Sequence, residues 1–365
     1  MTRRERVRNR RNRRVWLGYA LVGIGLVFFL ALGCLIPMPY VIEGPGPTFD
    51  VLGSSGKQRI ISIKDAPTYP TKGELRMVTV SMRGGPGYHV TGFEVAWAML
   101  SGKHAVYPVS EIYPDNVSAE DVRKQADAQM EGSQKNAEVA ALEELGYSVP
   151  ARLKVVAVDD ASPVKDAIKT GDVITGLSIN GESQETTDAG VLFRALESAS
   201  PSDEIVLSAN REGKTITARG HGKKRPDGEG VMLGLYLDPQ VSMPVDISVG
   251  LSDVGGPSAG MMFALGMIDE LTPGALTGGK VIAGTGALSM GGGVQMISGV
   301  PQKMAGAKRD GASWFLLPRG NCAEAAGHVP EGMRAVPVTT LEQARDVVEA
   351  IGKDETENLP TCPRG

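Results

Sequence analysis

Histidine and cysteine are scarce in this chain. Its 365 residues hold four histidines, His89, His104, His221 and His328, scattered so widely that no pair has metal-ligand spacing. No metal site is expected. Three cysteines, Cys34, Cys322 and Cys362, supply neither a disulfide framework nor a metal-binding pattern. A phosphate-binding loop is missing as well. Gly213-Lys214-Thr215 copies the end of one, but the glycine required five residues before Gly213 is Ser208. The segment also lies between two strand-like runs with no helix after it. No ATPase module, no ATP and no other cofactor are therefore expected. Positive charge is lacking from the body of the chain. Residues 1–14 carry eight Arg and one Glu, a charge of +7, so the formal net charge of −4 leaves −11 for the remainder. An acidic body excludes nucleic acid as its partner.

What is present is a folded composition, 42% hydrophobic and 22% charged, enough for two or three domains. Val15 to Ile36 is an apolar run without a charge. A bilayer core needs about 20 such residues as a helix. Residues 15–36 are thus expected to form a transmembrane helix. The basic tip, residues 1–14, is then retained in the cytoplasm. The run exceeds the h-region of a cleaved signal peptide, and Leu32 stands where a lipobox before Cys34 needs a small residue.

Beyond the apolar run, residues 37–146 read as a stalk and an N-terminal region. Pro37 to Pro47 is extended and rich in Pro and Gly. Leu75 to Met82 predicts a strand, and Ser118 to Leu145 predicts a helix with a Ser-x-x-Asp opening and Gly146 as its stop. Residues 147–225 alternate strand and turn signals around an apolar-periodic helix, Ala189 to Ala199. Residues 230–352 mix short strands, Gly-rich turns and helices over 258–271, 301–310 and 340–351, an α+β pattern. Residues 353–365 form a tail.

Two segments in the last block bear on chemistry. Gly255-Gly256-Pro257-Ser258-Ala259-Gly260 precedes a run in which Met261, Leu265, Ile268 and Leu271 recur at helical spacing. A serine at that position has free backbone N–H groups and the positive end of a helix dipole beside it, suited to an oxyanion. Gly255, Gly256 and Ser258 are the candidate oxyanion donors. The plainer alternative is that Ser258 only caps the helix. A serine nucleophile needs a proton acceptor, and no histidine lies in a suitable frame. A lysine can serve when burial disfavours its charged form. Lys303 sits in a small, apolar helix start, whereas Lys308 adjoins Arg309 and Asp310 and reads as surface.

Two resemblances organise these signals. Ala161-Ser162-Pro163, Gly171-Asp172-Val173-Ile174, Asn180-Gly181 and Asn210-Arg211-Glu212-Gly213 together resemble a bacterial PDZ domain. That resemblance implies peptide capture by strand addition, with the family's carboxylate loop falling on Ala151, Arg152 and Leu153. Pro257 to Gly260, Thr285-Gly286 and Gly299-x-x-x-Lys303 resemble, in order, the motifs of the Lon proteolytic domain. This second resemblance implies a Ser–Lys dyad with Ser258 as nucleophile, Lys303 as base and Thr285 supporting the lysine. The chain departs from that family in carrying Gly255 where an acidic residue is common, and Ala287 after Thr-Gly. The whole order resembles the membrane-anchored, PDZ-containing Lon-like serine proteases of bacteria. It implies an ATP-independent endopeptidase acting on extracytoplasmic proteins or peptides. The chain would be held in the cell membrane by one helix, and a homo-oligomer is compatible with the reading. The alternative is an inactive protease-fold scaffold that binds peptides through its PDZ-like block.

Overall fold

The computed structural model describes residues 16–25, 27–29, 33, 36–226, 229–251 and 254–362. Among these residues no helix is long and apolar enough to cross a membrane. This finding overturns the expected transmembrane helix over 15–36. The membrane partner and the single-pass topology fall with it. The basic tip, and residues 15, 26, 30–32, 34 and 35 of the apolar run, lie outside the described residues.

The chain divides into two compact units, Met1–Gly44 with Ser81–Val122, and Pro45–Val80 with Arg123–Gly365. In the smaller unit, residues 40–43 pair antiparallel with Ala105–Pro108. The helix Gly92–Ser101 opens on a capping box between Thr91 and Glu94, which satisfies N–H groups at its first turn. Ile42, Val90, Val95 and Ala98 form its small core.

The larger unit is built on parallel strands in the order Arg334–Val338, Trp314–Pro318, Val281–Gly284 and residues 74–80. Residues 45–50 lie beside the last of these, where Val51 N donates to Leu75 O at 2.9 Å. The apolar helix Gly260–Leu271 is buried along all but its last residue. Its Phe263, Leu265 and Ile268 share one core with Val51, Ile61, Leu75, Met77, Ala137, Leu142 and Val348. Residues 45–80 and 123–146 therefore complete the same core as residues 245–351. They are not part of a separate N-terminal block. The helix expected over 118–145 runs Ala119–Glu144, with Ser118 Oγ accepting from Asp121 N.

Between this helix and the strand Asp246–Val249 the chain makes a second sheet. Its strand order is Lys214–His221, Glu204–Arg211, Val173–Ile179, Ala151–Val158, Leu235–Val241, with Glu182–Glu185 paired onto Val173–Ile179. Leu153, Val155, Ile174, Leu177, Leu192, Ile205 and Leu207 fill its own core. The sheet extends past residue 225, because Leu235–Val241 pairs along the whole of Ala151–Val158. Strand signals of 231–241 thus belong here rather than to the last block. Both ends of the module meet: Ala151 pairs with Val241, and Ser242 N donates to Pro150 O at 2.8 Å. It is an insertion carried on a two-strand neck.

Two further expectations change. Ala151, Arg152 and Leu153 form no carboxylate-binding loop. They pair with Val241, Gln240 and Pro239, and Ala151 N donates to Thr187 O, so their backbone is engaged in the sheet. Cys322 and Cys362 form a disulfide, with Cα atoms 5.2 Å apart. The fold brings together two residues 40 positions apart in sequence, a pairing that cysteine spacing did not suggest.

Candidate active site

Ser258 lies in the turn immediately before the helix Gly260–Leu271. The helix N-cap is Ala259, and no side chain caps it. Ser258 is therefore not the capping residue, and its half-buried side chain is left for another use. Its backbone is fixed from the other side. The Ser258 carbonyl accepts from Gly286 N at 2.9 Å and from Thr285 Oγ1 at 3.0 Å. Thr285 is fully buried, and its own N–H donates to Leu316 O in the parallel sheet. Thr285-Gly286 thus couples the serine turn to the end of strand Val281–Gly284.

The glycines before Ser258 have separate reasons. Gly256 has φ +89°, a conformation that favours glycine. A Cβ on Gly255 would come within 2.6 Å of the Ala126 side chain. Gly256 N donates to Ala126 O at 2.9 Å, so this N–H is already committed and is not an oxyanion donor. Pro257 has no N–H. Of the expected donors, Gly255 and Ser258 remain.

Lys303 lies in the first turn of the helix Val300–Arg309 and is 3% exposed. Gly299 precedes it with φ +74°, and Lys303 N donates to Gly299 O at 3.0 Å. Sequence reasoning missed the residues that hold this helix start. Val300 N donates to Glu324 Oε1 at 3.0 Å. Asn321 accepts from Ile297 N and donates to Ile297 O and to Glu324 Oε2. Among the described residues no hydrogen bond joins the Ser258 hydroxyl to Lys303.

A second set of missed residues lies on the helix Ala119–Glu144. Ser133 Oγ donates to Pro257 O at 2.9 Å, and Asn136 Nδ2 donates to Leu288 O at 2.9 Å. No local pattern marks either residue, because their partners stand 124 and 152 positions away.

Burial raises several carboxyl groups of the fold. Asp269, near the far end of the serine helix, is fully buried. Its Oδ1 accepts from Leu276 N at 2.8 Å, while Oδ2 has no hydrogen-bond partner among the described residues. Burial pushes its carboxyl up to about 6, opposed by the Leu276 bond and reinforced by Asp50. Glu197, on the helix Val191–Ser198 of the inserted module, is also raised, chiefly by burial. It lines a cavity of about 800 Å³ with Arg194, Arg225 and the hairpin Gly291–Gly293. That cavity does not include Ser258, Thr285 or Lys303. Among the described residues no acid, histidine or cysteine cluster could hold a metal.

Residues 239–352 match the family described as the Lon protease (S16) C-terminal proteolytic domain, and a Lon-type proteolytic domain is thus present in the chain. The match begins inside the strand Leu235–Val241 and leaves out residues 45–80 and 123–146, which share its core. The chain is 29% identical over 165 residues to a Lon protease of Azospirillum brasilense, covering 43% of this chain and 20% of that one. It is 32% identical over 105 residues to a Lon protease of Lachnoclostridium phytofermentans, covering 27% and 12%. A Lon protease of Phenylobacterium zucineum is 27% identical over 155 residues, covering 41% and 19%. The chain spans no more than a fifth of the length of these relatives. Among solved structures, the PDZ domain of an SdrC-like protein from Listeria monocytogenes is 20% identical. It covers 23% of this chain and 85% of that one, with a TM-score of 0.21, too low to place the inserted module.

Proposed function

We propose that this chain is a serine endopeptidase in which Ser258 is the nucleophile and Lys303 the general base. The observation that carries the reading is the Ser258 turn. Within a Lon-type proteolytic domain, a serine whose side chain caps nothing has its carbonyl pinned by Thr285 and Gly286. The buried position of Lys303 adds to it, since an amine removed from water is more easily held neutral. In the proposed reaction the neutral Lys303 amine takes the Ser258 hydroxyl proton as Oγ bonds to the peptide carbonyl carbon. The oxyanion is received by backbone N–H groups at Gly255 and Ser258. The C–N bond then breaks and the lysine ammonium returns its proton to the leaving amine. Water, deprotonated by the same amine, hydrolyses the acyl ester. Thr285 donates its hydroxyl proton to Ser258 O, so its oxygen lone pairs are available to accept from the lysine. The inserted module is proposed as a PDZ-like domain, on the order of its turn motifs.

The full chain should cleave an unfolded protein substrate, and Ser258→Ala and Lys303→Ala should each abolish cleavage. The rate should also rise along a pH limb well below the ordinary lysine value of about 10.4. Cleavage by either variant at the wild-type rate would overturn the dyad. Absence of cleavage by the wild type, with peptide binding retained, would favour the scaffold alternative.

A further inference from the structure

The family match begins at residue 239, yet three bonds tie the turn around Ser258 and the strand after Thr285 to one helix far upstream. On the helix Ala119–Glu144, Ala126 O accepts from Gly256 N, Ser133 Oγ donates to Pro257 O, and Asn136 Nδ2 donates to Leu288 O, each at 2.9 Å. Ala126 and Ser133 are seven residues apart, two turns, and so share a face of the helix. Met130, Ala137 and Ala141 bury the same side in the core, which leaves the face little freedom to slide. The approach is close. A Cβ on Gly255 would meet Ala126, and a Cβ on Gly260 would lie 3.0 Å from Ser133 Oγ.

We propose that Ser133 is a positioning residue for the oxyanion site, with Asn136 holding the strand that follows Thr285. The inference rests on the dyad reading above. Its physical basis is the planarity of the peptide unit. Pro257 C=O and Ser258 N–H belong to one rigid trans peptide and point in opposite directions. A hydrogen bond that fixes the Pro257 oxygen therefore fixes the direction of the Ser258 N–H, one of the two remaining oxyanion donors. The next peptide unit is held separately, through Ser258 O, by Thr285 and Gly286. Ser133 is 3% exposed, so no water replaces its hydroxyl without rearrangement. Asn136 acts one step further along, on Leu288, three residues after Thr285. The helix at residues 119–144 is thus a working part of the site although the family match omits it.

The test uses the full chain with Ser133→Ala, Ser133→Cys, Asn136→Ala and, as reference, Ser258→Ala. Steady-state cleavage of a peptide substrate gives kcat and KM, a peptide boronate reports affinity for a tetrahedral anion, and thermal unfolding checks folding. Loss of a whole oxyanion donor costs about 10²–10³ in kcat, so a misdirected donor should cost roughly ten- to a hundredfold. Ser133→Ala should lower kcat and boronate affinity by similar factors at nearly constant KM. Ser133→Cys, a weaker donor of similar size, should fall between alanine and wild type. Asn136→Ala should lower kcat with a smaller effect on the boronate. The proposal is overturned if Ser133→Ala keeps wild-type kcat while Ser258→Ala is inactive. It is equally overturned if Ser133→Ala shifts KM and melting temperature without weakening the boronate. Should Ser258→Ala itself remain active, the dyad reading fails first, and the inference with it.

Discussion

Replacing Asp269 with asparagine should stabilise this protein at alkaline pH and leave it unchanged in acid. The carboxyl is fully buried near the end of the serine helix and is raised from 3.8 to about 6. Between those values the folded chain keeps a proton that the unfolded chain has already released. Stability from this group is therefore complete below 3.8 and is lost as pH rises through about 6. A displacement of about two pH units, at 1.36 kcal/mol each, corresponds to roughly 3 kcal/mol lost by pH 8. Asparagine cannot ionise, and its carbonyl still accepts from Leu276 N. Asp50 and Glu270 remain in both proteins, and the loss of the Asp269 charge relieves their repulsion with it, which acts in the same direction as the gain at pH 8. Urea unfolding from pH 4 to 8 measures that gain, and hydrogen exchange over Gly260–Leu271 locates it. The expected result is equal stability near pH 4 and a gain of up to about 3 kcal/mol for the variant at pH 8. A variant less stable at pH 8, or a difference that ignores pH, would refute the reasoning.

Three further substitutions probe other parts of the fold. Gly256→Ala places a side chain at φ +89° in open space, so its cost is conformational, about 1–2 kcal/mol. Its melting temperature should fall slightly while cleavage falls about tenfold, read from kcat beside a thermal scan. Gly291→Ala brings a Cβ to 2.6 Å from the backbone nitrogen of Arg194, an overpacking worth about 1–3 kcal/mol. The loss should appear as a lower unfolding midpoint. Cys362→Ser opens a 40-residue loop, worth up to about 4 kcal/mol by loop-closure entropy. Calorimetry should find the variant and the reduced wild type melting together below the oxidised wild type.

The residues proposed for chemistry were legible because they lie close together in sequence. Ser258, Thr285 and Lys303 fall within one stretch, where the order of Pro257–Gly260, Thr285-Gly286 and Gly299-x-x-x-Lys303 resembles the motifs of the Lon proteolytic domain. The helix over 118–145 was equally plain, since cap, body and stop all agree. Its purpose was not. Ser133 and Asn136 look like any polar residues on a helix, and only the fold shows that their partners are carbonyls beyond the inserted module. The engaged N–H of Gly256 was hidden for the same reason, its acceptor being Ala126. The strand Leu235–Val241 alternates exposure as a strand should, but its partner is Ala151–Val158, far upstream, and no local signal joins the two. The apolar run over 15–36 shows the reverse failure, a composition that suggested a span where no described helix is long enough.

The neck that closes the inserted module at Ala151 and Val241 sets an order of assembly. As the chain leaves the ribosome, everything that sheet needs has emerged by residue 241. The surrounding fold at that moment holds residues 74–80 and the helix at 123–144, but none of the three strands that complete its parallel sheet. Domains generally fold as units during synthesis, so the insert can settle while its host still waits. The host closes only after Val338 arrives. Ser258 thus emerges before the sheet that fixes Thr285 exists, and the turn cannot be set until the residues through Val338 are made.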